Sequence, residues 1–186
     1  MKTLETDRLR LRAWNTDDAP DLFAYASSPL VGPNAGWKPH ASIDITKEYL
    51  EQTINDDDTW AIVLKETGHV IGSVGLHTTR VETVREIGYV MHPDRWGHGY
   101  MTEAVKAVLR FAFEELGLSG VRVKHYPFNT RSKNVILRCG FRYDGTLRME
   151  TQRYDGVVLD ACVYSMTRAE WESGAPDQAV GETERP

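Results

Sequence analysis

The most informative pattern in the chain lies in residues 86–104, which read Glu86-Ile87-Gly88-Tyr89-Val90-Met91-His92-Pro93-Asp94-Arg95-Trp96-Gly97-His98-Gly99-Tyr100-Met101-Thr102-Glu103-Ala104. A predicted strand ends at Pro93, a loop with two glycines follows, and an amphipathic helix begins at once. Free N–H groups at a helix start carry partial positive charge, and glycines let a ligand approach the backbone closely. The stretch therefore predicts a site for an anion such as pyrophosphate. A tight turn leading into a helix would show the same pattern.

Two better-known phosphate loops do not fit this stretch. A Walker loop needs Gly-x-x-x-x-Gly-Lys-Ser/Thr, and the chain contains no such string. A dinucleotide-binding fingerprint needs a glycine three residues after Gly99, where this chain has Thr102. A nucleoside triphosphatase and a dehydrogenase are therefore disfavoured.

The flanking sequence predicts an α/β fold, a mixed and mostly antiparallel sheet with helices on its faces, in the order β-α-α-β-β-β-α-β-α-β-β. Alternating apolar residues indicate the strands, and capping side chains indicate where helices begin. The Gly- and Pro-containing segment 30–41 is expected to be a loop. The predicted strands cover about 9–14, 60–64, 70–77, 84–91, 121–126, 141–143 and beyond, and 157–167, and the predicted helices begin near Thr16, Ser42, Gly99 and Asn129.

The composition indicates one globular domain, expected over residues 3–171, and a flexible tail over 172–186. The 186 residues are 41% hydrophobic, which is enough for a core. With 22 basic and 27 acidic residues the net charge is −5, which argues against a nucleic-acid partner.

The cellular setting is expected to be the cytoplasm. No apolar stretch approaches the ~20 residues of a membrane span, and the first residues lack a signal peptide's apolar segment. Two cysteines, Cys139 and Cys162, make neither a disulfide framework nor a metal cluster. The histidines show no metal-ligand spacing, so no metal is expected.

Four motifs in order give the chain a resemblance to the GNAT superfamily of N-acetyltransferases, in the branch of the RimJ/RimL ribosomal-protein N-terminal acetyltransferases. The resemblance covers about residues 3–171 and implies the GNAT acyl-CoA N-acyltransferase fold. It also implies acetyl-CoA as co-substrate and a primary amine as acceptor, either a protein N-terminus or a small amine. The motifs are Glu5 to Arg12, Glu86 to Ala104, Asn129 to Ser132 with Cys139-Gly140-Phe141, and Gly145 to Arg148 with Asp160 to Tyr164.

The resemblance also implies which residues bind acetyl-CoA. Backbone N–H groups around Gly99 would hold the pyrophosphate, and Asn129 would contact the pantetheine arm. The chain departs from the superfamily in having Trp96 at a Gln/Arg position, Met101 at a small-residue position, and Ile136 where many members carry a Tyr that protonates the leaving thiolate. The implied cofactor-binding residues are Val90, Met91, Trp96, Gly97, His98, Gly99, Tyr100, Met101, Thr102, Asn129 and Ser132.

Amine acetylation needs a base for the ammonium proton and a group that stabilises the departing thiolate. The resemblance places Glu86 beside the thioester as the candidate base, although a surface carboxylate paired with Arg85 or Arg80 fits equally well. Ser132 is the candidate hydrogen-bond donor to the sulfur, and an ordinary first-turn serine is its alternative.

The acceptor side is expected to involve the loop before the second helix and one neighbouring strand. The candidates are Trp37 and His40 in the loop and His77 on the strand. Loop packing and a structural histidine are the alternative interpretations of the same residues.

Two functions from different classes stay open. One is an acetyl-CoA-dependent N-acetyltransferase acting through a ternary complex. The other is a catalytically silent acyl-CoA-binding or regulatory module on the same fold. Within the enzyme hypothesis, aminoglycosides and polyamines are further acceptors to consider, because the negative charge suits a cation. A homodimer is an open alternative to a monomer.

Overall fold

The computed structural model describes residues 1–54 and 57–174. Its eight strands form one mixed sheet in the spatial order β1-β2-β3-β4-β5-β6-β8-β7. The strands are β1 (Leu4–Glu5), β2 (Leu9–Arg12), β3 (Thr59–Leu64), β4 (Val70–Thr78), β5 (Val84–Met91), β6 (Gly120–His125), β7 (Arg142–Gln152) and β8 (Val158–Thr167).

Six helices accompany the sheet, and a π-helical turn over Phe111–Glu115 extends the fourth. Side-chain caps predicted from the sequence are present, since the Ser42 hydroxyl accepts the N–H of Ile45 and the Asn129 amide oxygen accepts that of Ser132. The helices are α1 (Ala19–Ala26), α2 (Gly32–Ala35), α3 (Ile43–Thr53), α4 (Tyr100–Arg110), α5 (Thr130–Arg138) and α6 (Arg168–Glu172).

The pairing of β5 with β6 positions the site. Neighbouring strands are antiparallel everywhere else in the sheet, and these two are parallel, joined by the crossover through α4. Their ladder runs from Val84 opposite Gly120 to Ile87 opposite Val123, although β5 continues to Met91. Beyond Ile87 the two strands therefore diverge, and the edge of β5 that faces β6 has no strand partner there among the residues 1–54 and 57–174.

Helices bury apolar stripes on both faces of the sheet. The inner face of α4, with Met101, Ala104, Val105 and Val108, packs with α5 residues against one face. Residues of α1 and α3, such as Leu22 and Leu50, join a separate cluster on the other face.

The predicted fold class is confirmed, and the structure adds detail that the pattern did not give. It adds β1, and it places the one-turn helix α2 inside the segment predicted to be a loop, ending at Gly36 with φ +93°. The sequence places Leu116 at helical spacing with the apolar residues Met101, Ala104, Val105, Val108 and Ala112, yet Leu116 is 48% exposed. The π-helical turn explains this, because its bond from the Leu116 N–H to the Phe111 carbonyl shifts the helical register by one residue.

Two expectations concern the C-terminal tail and membrane-spanning segments. Most of the tail predicted over 172–186 lies outside the described residues, so the proposed domain limits stay a prediction. Among the residues that the structure describes, no helix is long and apolar enough to cross a membrane.

Candidate active site

Two recesses open on either side of the gap between β5 and β6. We call them the cleft, of about 360 Å³, between the loop before α4 and helix α5, and the cavity, of about 650 Å³, between β4–β6, α3 and the segment 31–40. Their walls share one set of residues, which we call the junction. The junction residues are Asn34, Ala35, Tyr89, Val90, Asn129 and Ser132.

The cleft is built around the start of α4. Gly99 precedes the helix with φ +78°, and the first intrahelical bond runs from the Glu103 N–H to the Gly99 carbonyl at 3.0 Å. The amides of Tyr100, Met101 and Thr102 consequently have no carbonyl to bond within the helix, and they carry its positive dipole end. This arrangement can hold a phosphate or pyrophosphate. The structure brings all the expected cofactor-binding residues to the cleft except His98, which is not among its lining residues.

Trp96 supports the cleft from its floor. Its indole N–H donates to the Met91 carbonyl at 2.9 Å and so ties the loop to the end of β5. The guanidinium of Arg131 lies over the indole ring, 4.4 Å from its centroid. Arg95 and Arg138 also line the cleft. The sequence reasoning missed these cations, although Arg131 and Arg138 stand seven places apart and therefore on one face of α5.

Arg8 fixes the other side of the same loop. Its Nη1 donates to the His98 carbonyl at 3.0 Å, and its Nε donates to the Glu103 carboxylate at 2.7 Å. The guanidinium also lies 4.5 Å from the centroid of the Tyr100 ring. The Thr6 hydroxyl donates to the same carboxylate at 2.6 Å. His98 thus faces the β1–β2 connection, and its carbonyl helps to set the loop's conformation.

We expect Glu103→Gln to lower both the melting temperature of the protein and the affinity of the cleft for acetyl-CoA. Partial burial pushes the pKa of Glu103 up, but hydrogen bonds from Thr6 and Arg8 outweigh it and hold the pKa below its usual value. This stabilisation is present above the unfolded pKa of about 4.3 and is lost as pH falls through the lower, folded pKa. At pH 7 the variant should melt about 2–4 °C lower, the shift that roughly 1 kcal/mol produces in a chain of this size.

Thermal melts from pH 3 to pH 8 check this, with Glu66→Gln on the exposed β3–β4 turn as control. The difference in melting temperature between wild type and Glu103→Gln should become smaller toward pH 3. A difference that is constant from pH 3 to pH 8 would show that the ionised carboxylate contributes nothing to stability.

The cavity contains the predicted base. Glu86 lines it and is half-buried, and its Oε1 lies 3.2 Å from the Lys124 ammonium. Lys124 also lies 3.9 Å from Glu150 on β7. Arg85 and Arg80, the partners considered from sequence, do not form this pair; Lys124 on β6 does. The carboxylate is thus paired with an ammonium and lines the recess.

His77 also lines the cavity, as expected. Its Nδ1 lies 2.8 Å from the Asp58 carboxylate, which fixes the ring's orientation. The ring lies over Gly75 and Gly88, which face each other across β4 and β5, and a side chain at Gly75 would collide with it. The two glycines therefore make room for the imidazole on the sheet surface.

The remaining acceptor-side candidates form an aromatic wall, which we define as Trp37, His40 and Tyr49. The Trp37 and His40 rings lie 5.5 Å apart, and those of His40 and Tyr49 lie 5.6 Å apart at 61°. Burial lowers the pKa of His40, and its Nδ1 lies 2.8 Å from the Thr46 hydroxyl. The sequence reasoning found two members of this wall and missed Tyr49, which comes from α3.

Ser132 lies at the junction and contacts a residue that the sequence reasoning did not single out. Its Oγ is 2.9 Å from the Tyr89 hydroxyl, which is also 3.1 Å from the Ser132 carbonyl. Burial raises the pKa of Tyr89 and keeps the phenol protonated. Ile136, at the position where many superfamily members carry a tyrosine, is 1% exposed and belongs to the core.

Cys139 lacks the surroundings of a nucleophile. It is buried, and burial raises the pKa of its thiol to about 12. The Sγ of Cys162, on β8, lies 3.6 Å from the Thr146 hydroxyl. An acyl-cysteine route therefore has no thiolate to begin from at Cys139.

The mixed sheet, its open β5–β6 edge and the helix start beside it define an acyl-CoA-dependent transferase. Comparison with known proteins agrees, because the family described as acetyltransferase (GNAT) domain matches residues 8–142. The chain belongs to this family and is an acetyl-CoA-dependent N-acetyltransferase. A Bacillus licheniformis protein named uncharacterized N-acetyltransferase p20 is 32% identical over 178 residues, spanning 92% of this chain and 99% of that protein.

Solved structures share the fold. A GNAT-family acetyltransferase from Bacillus anthracis superposes with a TM-score of 0.84 at 22% identity, covering 91% of this chain and 100% of that one. The ribosomal-protein-S5-alanine acetyltransferase from Vibrio fischeri superposes with a TM-score of 0.76 at 20% identity, covering 92% of this chain and 99% of that one. The family predicted from the four motifs is confirmed.

Proposed function

We propose that the chain transfers the acetyl group of acetyl-CoA to a primary amine by direct attack in a ternary complex. The cleft takes the CoA and the cavity takes the amine. The observation that carries this proposal is the junction, where the two recesses meet beside Tyr89, Asn129 and Ser132. Two reactants held on either side of one gap are positioned for attack without an acyl-enzyme.

The cleft fits CoA in three places. The amides at the start of α4 suit the pyrophosphate, and Arg131 on Trp96 supplies the positive charge that other members place at the Trp96 position. The partnerless edge of β5 after Ile87 offers backbone N–H and C=O groups to the pantetheine amides. A β5 N–H there would also polarise the thioester carbonyl.

The cavity supplies the chemistry on the amine. The Glu86 carboxylate takes a proton from the ammonium, directly or through water, and the neutral amine attacks the thioester carbon. The C–N bond forms, the C–S bond breaks, and the electron pair of that bond leaves on sulfur. The second proton of the attacking nitrogen is lost to solvent as the amide forms. The Ser132 hydroxyl donates a hydrogen bond to the thiolate. The Tyr89 phenol fixes the position of Ser132, because it donates to the Ser132 carbonyl at 3.1 Å and lies 2.9 Å from the Ser132 hydroxyl.

Ser132→Ala should lower kcat more modestly than loss of the base, because water can replace the hydroxyl at a thiolate of pKa about 8–9. A tenfold decrease is about the expected size, since one hydrogen bond to a charged group contributes roughly 1.5 kcal/mol. Tyr89→Phe should lower kcat in the wild-type background and have little further effect beside Ser132→Ala, because Tyr89 acts through Ser132. Kinetics of the two single variants and the double variant check this. Fully additive losses would contradict the coupling.

The catalytically silent acyl-CoA-binding module that the sequence left open is set aside, because the chain belongs to a family of acetyltransferases. Incubation with acetyl-CoA and a panel of amines, followed by detection of free thiol and of acetylated product, tests the proposed transfer. Release of CoA with a matching acetylated amine supports direct transfer to a primary amine, whereas calorimetric binding of acetyl-CoA without transfer to any amine would contradict it. The cytoplasmic location and the homodimer stay predictions.

A further inference from the structure

The charge of the cavity wall limits the acceptors that it can take. Among the described lining residues, Glu86 is the only carboxylate, and Lys124 already faces it at 3.2 Å. Asp58 and Glu150 stand behind the wall and are paired with His77 and Lys124. Each additional buried ammonium would need its own anionic partner. Because the one Lys124 ammonium is shared by Glu86 and Glu150, one negative charge of these two carboxylates is left unbalanced. The cavity therefore has one place for a further positive charge, beside Glu86.

Aromatic side chains make up much of the remaining wall. Trp37, His40 and Tyr49 form the aromatic wall on one side, and Tyr126 also lines the cavity. Because burial lowers the pKa of His40 and of His125, both imidazoles are neutral near pH 7. Such a surface stabilises a flat apolar body through stacking and edge contacts and provides no further charge for a second ammonium.

We propose that the acceptor is a compact amine with one positive charge and an aromatic body. Its nitrogen lies between Glu86 and the junction, and its ring lies against the aromatic wall. A volume of about 650 Å³ suits a small molecule of this kind, since small-molecule pockets are roughly 300–1,000 Å³. This inference rests on the proposed function and names the substrate class for it. It disfavours aminoglycosides and polyamines.

The test compares amines that differ in one property at a time. 2-Phenylethylamine has one charge and an aromatic body, propylamine has one charge and no ring, and spermidine and kanamycin have several charges. A short peptide with a polar first residue represents a protein N-terminus. Steady-state transfer should favour 2-phenylethylamine, with kcat/KM at least about tenfold above propylamine, because one buried ring contributes well over 1.4 kcal/mol.

Tyr49→Ala shows whether the aromatic wall causes this preference. Tyr49 is 49% exposed, so its truncation should not unfold the chain. Tyr154→Ala is the matched control, because Tyr154 is 46% exposed on the β7–β8 turn and is not among the residues that line the cavity. KM for 2-phenylethylamine should rise about three- to tenfold in Tyr49→Ala, the range expected for one aromatic contact. KM for propylamine and for acetyl-CoA should hardly change, and Tyr154→Ala should behave as wild type.

Calorimetric binding of 2-phenylethylamine to the complex with CoA gives a readout independent of turnover. Preferred transfer to spermidine, kanamycin or the polar peptide would overturn this inference and leave the proposed function intact. Binding of 2-phenylethylamine that is weakened by Tyr49→Ala, with no transfer to any amine, would retain the cavity's specificity and overturn the proposed function. If 2-phenylethylamine does not bind and no amine is acetylated, both this inference and the proposed function are wrong.

Discussion

Glu86→Gln is expected to lower the transfer rate by ~10²–10⁴ at neutral pH, the usual contribution of a general base. Glutamine keeps the shape of the side chain and removes its ability to accept the amine's proton. Affinity for acetyl-CoA should hardly change, because Glu86 lines the cavity and not the cleft. The loss should shrink as pH approaches the acceptor's own pKa, since solvent then supplies neutral amine.

A pH–rate profile of both enzymes measures this, and Glu150→Gln is the control. Glu150 touches the same Lys124 ammonium at 3.9 Å but does not line the cavity, so its removal changes the local charge and spares the base. If the Glu86→Gln enzyme keeps the wild-type rate across the whole pH range, Glu86 is not the base and only pairs with Lys124. His77, held by Asp58 and facing the same cavity, would then be the next candidate base.

Gly99→Val is expected to weaken acetyl-CoA binding by a factor of ten or more. The φ of +78° at Gly99 is strained for any residue with a side chain and most of all for a β-branched one. The strain of about 1–3 kcal/mol would be relieved by moving the loop, and the amides of Tyr100 to Thr102 would no longer converge on one anion. Gly97→Val, at φ +83°, should act in the same direction.

Gly156→Val is the matched control, because Gly156 has φ +84° and no atom within 4 Å of an added Cβ, yet it lies at the β7–β8 turn. It should lose stability like Gly99→Val and retain the affinity for acetyl-CoA. Calorimetric titration at a temperature where all variants are folded makes the comparison. Equal affinity of wild type and a folded Gly99→Val would show that the pyrophosphate is held elsewhere.

Features that depend on neighbouring residues could be predicted from the sequence. Alternation placed the strands, and the caps at Ser42 and Asn129 placed two helix starts, because each signal involves residues within two to four positions of one another. The loop around Gly99 was found for the same reason. The short β1 was missed because its two residues are held by pairing with Leu11 and Arg10 and have no periodicity of their own.

The contacts that make the site specific depend on distant residues and could not be found this way. Glu86 meets Lys124 across two parallel strands, and Arg8 meets Glu103 over 95 positions. The Tyr89–Ser132 pair requires that β5 and β6 diverge after Ile87, a property of strand register. Each side chain alone has an ordinary surface interpretation, and only the tertiary fold brings the partners together.

The separation of the proposed acetyl-CoA site in the cleft from the proposed amine site in the cavity affects how such enzymes can evolve new substrates. Under the proposed function, the cleft would hold CoA largely through main-chain amides, which most substitutions leave in place. The cavity would select the amine through side chains of α3 and the segment 31–40, which line it. Mutations in that segment can therefore retarget the enzyme while the acetyl donor and the machinery at the junction are inherited unchanged. One ancestral scaffold could in this way give descendants with unrelated amines as substrates, each a few substitutions apart.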